Sequence, residues 1–318
     1  MFKYRGNLPQ LSGDLFLTDG GIETSLIFHD GLDLPYFAAF VLLDTAEGRA
    51  ALRRYFTGYA GLAAEGGHGF ILESPTWRAS QDWGDRLGYD AVAMDRVNAA
   101  AIRLMHEIRD AYETPASPFV ISGCVGPRGD GYDPGERMSV FDARAYHAAQ
   151  IGSFARAGAD MVSAITMTNV EEAAGLALAA RDQDMPCVIA FTTETDGRLP
   201  SGTTVGAAIK AVDSATGDHP AYYMINCAHP THFESAVRAG KGWIDRVRGV
   251  RANASTKSHA ELDESETLDD GDPHDLGRRY AVLRELMPHL NVMGGCCGTD
   301  HRHIEAIRDA CCKKRAAA

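Results

Sequence analysis

Cys296 and Cys297 stand side by side in the run Gly294-Gly295-Cys296-Cys297-Gly298-Thr299-Asp300, at the end of an apolar segment. Such a pair is badly placed as core filler, because the glycines leave both sulfurs uncovered and let the backbone come close to whatever they hold. The natural chemistry is a metal site. Two thiolates are too few for a zinc ion, which prefers four N or S ligands in a tetrahedron, so a third ligand must come from elsewhere. Cys227, directly after Tyr222-Tyr223-Met224-Ile225-Asn226, is the best candidate. Its separation from Cys296 is far from a zinc-finger spacing, so the site depends on the fold and not on a local knuckle.

Three protein ligands leave a fourth position open. Three thiolates also lower the Lewis acidity of Zn²⁺, which makes the site less suited to activating water than a His-rich hydrolytic site, yet able to bind and deprotonate an incoming thiol. A free thiol has a pKa near about 8.5 and is mostly protonated at neutral pH, so coordination raises its reactive fraction. Alkyl transfer to a substrate thiol is the chemistry that fits.

The elements that must position these sulfurs are legible as apolar runs ending in glycine or polar residues: 15–20, 69–74, 119–123, 160–166, 187–193, 222–226, 247–252 and 291–294. Several, such as Val188-Ile189-Ala190-Phe191, lack in/out alternation, as parallel strands covered on both faces do. Between them run helical patterns, including 91–111, where Val92, Val97, Ile102, Met105 and Ile108 fall on one face, and 143–157. Gly158 and Gly240 have the placement of left-handed helix caps. Strand and helix alternate eight times, which predicts an α/β fold of the (β/α)₈ TIM-barrel type in a single domain over 1–312, with 313–318 as a frayed, disordered tail. The count and the unbroken rhythm favour closure over a doubly wound sheet. In a barrel, Cys227 after the sixth strand and Cys296-Cys297 after the eighth share one mouth.

Composition narrows the partners. With 318 residues and 45% hydrophobic content the chain can bury a large core, while a net charge of −12 supplies no basic face for nucleic acid or an anionic membrane. No run approaches the roughly 20 apolar residues of a membrane span, and no basic start precedes an apolar stretch, so a cytoplasmic setting is expected. Seven cysteines, an odd number in a long chain without a secretory signal, fit free thiols better than a disulfide framework. Nothing in the sequence sets the oligomeric state.

Four segments carry a resemblance: Leu17-Thr18-Asp19-Gly20-Gly21, Glu73-Ser74-Pro75-Thr76-Trp77-Arg78-Ala79-Ser80, Ile225-Asn226-Cys227 and Gly294-Gly295-Cys296-Cys297-Gly298. In order and over nearly the whole chain, they resemble the homocysteine S-methyltransferase family. The resemblance implies a (β/α)₈ barrel, zinc held by Cys227, Cys296 and Cys297, and an Asp19-Gly20-Gly21 turn that binds the amino-acid end of homocysteine. It also implies methyl transfer from a sulfonium or betaine-type donor such as S-methylmethionine to the homocysteine thiol, giving methionine. The turn agrees physically, since N–H groups freed by consecutive glycines can hold a carboxylate while Asp19 pairs with an ammonium or fixes the loop. The chain ends soon after the double cysteine, so a cobalamin-dependent synthase is not expected.

The departures from the family pattern matter as much. Where many members carry a glutamate for the substrate ammonium, this chain reads Ala164-Ile165-Thr166, with Ile165 in its place. Either Glu73 or Glu194, closing the second and fifth strands, substitutes for it, or the same barrel acts on a different small thiol or donor. A non-catalytic zinc-binding module is the reading of another class. Arg78 falls where some relatives have an aromatic or amide residue near the zinc. Asn226, beside Cys227, joins the substrate-side residues.

Other conspicuous residues have plainer readings. Cys124 after the third strand reads as a small apolar filler, with lining the mouth as the alternative, Cys187 within the fifth reads as core, and Cys311-Cys312 carries no glycines and no site. His229 and His232 read as hydrogen-bonded histidines near the mouth, with metal ligation the alternative. Trp77 and Trp83 either pack or offer a ring face to a sulfonium. The acidic stretch 260–275 reads as a solvated loop, with a substrate lid as the alternative.

Overall fold

The computed structural model describes residues 2–312. Residues 313–318, expected as a frayed tail, lie outside the described residues. Eight parallel strands close into one barrel in the order of the sequence: β1 (Phe16–Leu17), β2 (Gly69–Glu73), β3 (Phe119–Val125), β4 (Met161–Met167), β5 (Cys187–Thr192), β6 (Tyr222–Asn226), β7 (Val247–Ala252) and β8 (Val292–Gly295). Closure is made by Phe16 and Leu17, which pair with Val292 and Met293 on one side and with Gly69 and Phe70 on the other. The expected fold class is therefore the observed one.

The unbroken apolar runs are explained by two cores. Val188 and Ala190 of β5 point into the barrel with Phe16, Ile71, Val120, Tyr222 and Met224, whereas Ile189 and Phe191 point outward under the helices with Phe119, Phe154 and Phe233. Both faces of the strand are dry, so no polar alternation survives. Each such phenylalanine or isoleucine contributes about 1.5–3 kcal/mol by leaving water. Cys187 belongs to the outer core, as its plain reading held, whereas Cys124 packs in the barrel interior and also lines the cleft at the mouth.

Several local expectations need correction. The first strand is two residues long because the chain turns away at Thr18, whose N–H still pairs with Met293. The helix Ala91–Tyr112 forms as patterned and is capped by the Asp90 side chain, but Val92 is 77% exposed and lies off the face that buries Val97, Ile102, Met105 and Ile108. Gly158 is a left-handed cap at φ 89°; Gly240 is not, at φ −69°, and the left-handed turn falls on Gly242. The acidic stretch is not a plain loop: it holds most of the short helix His259–Asp263, capped by Ser258 and Glu261, and the start of the helix Pro273–Leu286. Among the described residues, no helix is long and apolar enough to cross a membrane.

The end of the barrel opposite the cysteines is sealed. Asp160, just before β4, accepts the backbone N–H groups of Lys3 (2.6 Å), Tyr4 (2.8 Å) and Ile121 (2.9 Å) and pairs with Arg109 at 2.8 Å. The N-terminal segment thus caps the barrel floor, with Gln10 reaching inward to Tyr222. The cysteines stand at the other end, the C-terminal face where barrels of this type carry their chemistry.

Candidate metal centre

Cys227, Cys296 and Cys297 converge although two strands and about a fifth of the chain separate them. Their sulfurs lie within 4.8 Å of one another, with Cys227 and Cys297 3.7 Å apart, at the C-terminal ends of β6 and β8. No other group of three His, Cys, Asp or Glu side chains among the described residues has the closeness of a metal site. The sulfurs share a wall of a cleft of about 200 Å³ with Asp19, Glu23, Glu73, Arg78 and Tyr132.

Cys227 gets its position from a left-handed backbone at φ 55°, which a side-chain-bearing residue adopts only when its surroundings enforce it. Its carbonyl is gripped by Asn253 Nδ2 at 3.0 Å and His259 Nε2 at 2.6 Å, with Thr192 Oγ1 at 3.4 Å. A second left-handed residue, Thr166 at φ 66°, sits in the register shift that ends β4. Asn226 clamps it, accepting the Thr166 N–H at 3.0 Å and donating to its hydroxyl at 2.8 Å, while the same amide nitrogen lies 4.0 Å from Cys296. Asn226 therefore positions the centre from beneath and does not line the cleft.

The glycines around the pair serve the protein's own backbone first. A Cβ on Gly21 would fall 2.5 Å from the carbonyl of Cys296, and the Gly21 N–H is already bonded to Thr299 O at 3.0 Å. The Asp19-Gly20-Gly21 turn is thus glycine-rich so that it can press against the double-cysteine loop. Gly298, at φ 78°, makes the turn that folds this loop back. The expectation that both glycine N–H groups are free for a carboxylate fails at Gly21.

Three thiols in contact cannot ionise alike. Hydrogen bonds from Cys227 and Cys296 pull Cys297 well below the usual thiol range against the effect of burial, whereas bonds to the other two sulfurs and burial together raise Cys296. Cys227 is lowered by its bond with Cys296 but ends above the usual range through its bond with Cys297 and burial. Such a cluster would be relieved by a divalent cation, which favours all three thiolates. The Tyr132 hydroxyl completes the outer side, 3.4 Å from Cys227 and 3.5 Å from Cys297, its ring stacked at 3.9 Å on His259.

The model of the homocysteine S-methyltransferase family matches residues 16–311. The chain belongs to this family. It is 25% identical to homocysteine S-methyltransferase 3 of Arabidopsis thaliana over 209 residues, a match covering 62% of this chain and 59% of that protein, so it spans less than two thirds of that relative's length. Among solved structures, it is similar to the homocysteine methyltransferase MmuM from Escherichia coli in its metallated form, with a TM-score of 0.72 and 20% identity over 93% of this chain and 96% of the other. The apo form of the same protein gives a TM-score of 0.66 at 21% identity. These likenesses show a shared fold.

Within this family member, the remaining sequence-nominated residues separate into two groups. Asp19, Gly20, Gly21 and Glu73 line the cleft; Glu194 does not, and its carboxylate instead faces His259 Nδ1 at 3.2 Å. Asp19 is engaged by Arg251 at 2.7 Å and by the Tyr55 hydroxyl at 3.0 Å, so it fixes the loop. Glu73 is 4% exposed, and neither of its carboxylate oxygens has a hydrogen-bond partner; Arg251 is 4.0 Å away. Burial pushes its carboxyl up. Ile165, buried, lines the cleft beside it.

His229 and His232 are structural: His229 caps the helix Pro230–Ala239 and burial lowers it to about 4, and His232 bonds Thr256 O at 2.9 Å. The Arg78 guanidinium packs on both tryptophans, 4.3 Å from the Trp77 ring and 3.8 Å from the Trp83 ring, and Trp77 lines the cleft. Sequence reasoning missed Tyr132, Arg251, His259 and Glu23. Burial raises the Glu23 carboxyl to about 8, with Cys297 and Asp19 adding to the shift. Only Glu23 had a local signal, lying two residues beyond the Asp-Gly-Gly turn.

Proposed function

We propose that this chain is a zinc-dependent methyltransferase that moves a methyl group from a sulfonium or betaine-type donor to the thiol of homocysteine, giving methionine. One observation carries the reading: three cysteine sulfurs from two strand ends converge within 4.8 Å on the wall of a cleft, in a chain of the homocysteine S-methyltransferase family. The donor set suits zinc, being three soft thiols at the mouth of a barrel with room beside them, and Cys227, Cys296 and Cys297 would hold the ion. The metallated form of the similar E. coli protein supports a metal here. When bound, the ion supplies the Lewis acidity that lets an acceptor thiol lose its proton near neutral pH.

The chain's own residues orient and shield. Asn226, Asn253 and His259 fix the backbone that aims Cys227, and Tyr132 covers two sulfurs. Glu73 offers an unpartnered buried carboxylate to the substrate ammonium, in place of the glutamate that Ile165 replaces. Transfer needs no protein nucleophile: the donor heteroatom keeps the bonding pair and becomes neutral as the methyl carbon bonds to the acceptor sulfur in line. Ile165 on the cleft wall favours one second reading, an acceptor thiol without an ammonium group.

A donor screen with homocysteine as acceptor, following methionine by mass spectrometry with and without a zinc chelator, tests the reading. Methionine that forms from one donor class and vanishes on chelation is the expected result. A zinc-loaded protein that forms no methionine from any donor, yet methylates a simpler thiol, would replace homocysteine with that thiol.

A further inference from the structure

The histidine behind the cysteine cluster is itself held from outside the cleft. His259 is buried, and its ring nitrogens have two polar neighbours: the Cys227 carbonyl, 2.6 Å from Nε2, and the Glu194 carboxylate, 3.2 Å from Nδ1. Both of these groups only accept hydrogen bonds. The ring must therefore present an N–H on each side, and Glu194 is the group that makes the second one favourable. A ring free to carry its single proton on Nδ1 would turn a lone pair toward the Cys227 carbonyl and lose its grip. Among the described residues no other carboxylate pairs with this ring.

Through that ring two contacts reach the sulfurs. Nε2 holds the carbonyl of a residue at φ 55°, a conformation that persists only while its surroundings enforce it. The ring face stacks on Tyr132 at 3.9 Å, and the Tyr132 hydroxyl lies 3.4 Å from Cys227 and 3.5 Å from Cys297. Glu194 is presented rigidly, because the turn after β5 bonds its N–H to Arg198 O at 2.7 Å and its carbonyl to the Gly197 N–H at 2.9 Å. It does not line the cleft, so its part is indirect. We propose that Glu194 is a positioning residue of the metal centre: acting through His259, it fixes the Cys227 carbonyl and the Tyr132 ring, and so sets how tightly the three cysteines hold a zinc ion. Carboxylates that orient a metal site usually act on a ligating histidine. Here the histidine ligates nothing and transmits the restraint to the backbone of a cysteine. This role rests on the reading of Cys227, Cys296 and Cys297 as zinc ligands and is independent of which thiol or donor the enzyme takes.

Zinc affinity of the full chain, measured by competition with a chromophoric chelator, tests the role alongside the thermal unfolding midpoint of the zinc-free protein. Glu194→Ala should weaken zinc binding by about 10- to 100-fold, the range for losing a group that orients a ligand from behind, with the zinc-free midpoint unchanged. Glu194→Gln, whose amide can donate to Nδ1 and so keep the proton on Nε2, should lie between Glu194→Ala and wild type. Asp196→Ala removes an exposed carboxylate from the same turn and should bind zinc as wild type does. In the His259→Ala background, Glu194→Ala should have no further effect. Wild-type zinc affinity in Glu194→Ala overturns the inference, and so does an equal loss in Asp196→Ala, which would reflect local charge alone. These two variants decide the matter even where His259→Ala does not fold. A wild-type chain that binds no zinc removes the metal reading and this inference together, whereas zinc binding indifferent to Glu194 removes the inference alone.

Discussion

Asp160 and Glu73 are carboxylates buried at opposite ends of one barrel, and they are treated oppositely. Asp160, fully buried, receives three backbone N–H groups and a guanidinium. Glu73, 4% exposed, receives no hydrogen bond and has its nearest cation 4.0 Å away. A saturated buried charge acts as a structural rivet, while an unsaturated one costs stability and keeps its capacity for a ligand. In this barrel the saturated group closes the N-terminal face and the unsaturated one waits beside the cysteines, which matches the general division of labour in such folds.

The contrast can be broken experimentally. The largest effect is expected from Cys296→Ala: bound zinc, measured by elemental analysis, should be lost and methyl transfer should fall to background, while the thermal unfolding midpoint stays close to wild type. If the chain unfolds instead, the metal is structural. Asp160→Asn should behave in reverse, costing about 3–5 kcal/mol in urea unfolding because Arg109 is left buried without its charge partner, with zinc retained. Glu73→Gln sharpens the comparison directly. It should leave stability unchanged or raise it by about 1 kcal/mol, and lower kcat/KM for homocysteine by about tenfold.

The smallest effect concerns pH. Against the cost of burial, the hydrogen bond from His147 at 3.0 Å holds the Glu172 carboxyl below its usual value of 4.5. A depressed carboxyl contributes stability that is present above 4.5 and is lost as pH falls through its lower folded value. Glu172→Gln should therefore flatten the acid limb of the stability curve below pH 4.5 and leave neutral-pH methyl transfer largely intact. An acid limb identical to wild type would show that the pair contributes nothing there.

What could be read in the chain beforehand was periodic or adjacent in sequence. Val188 to Phe191 announced a strand dry on both faces, and the eightfold rhythm announced closure. Cys296 and Cys297 were visible as neighbours, and Cys227 as a residue ending a strand. Tyr132, Arg251 and His259 carried no such mark. Their roles arise from pairings with Cys297, Asp19 and the Cys227 carbonyl that only the closed barrel creates. Glu194 shows the opposite error, a carboxylate at the right strand end that faces a histidine and not the cleft.

The sequence by itself determined the alternation of elements and the types of ligand, because hydrophobic period and thiol chemistry are local properties. The tertiary structure decided which polar groups are satisfied. That depends on distances between residues such as Glu73, Arg78 and Asp160 and partners far along the chain, which no local pattern encodes.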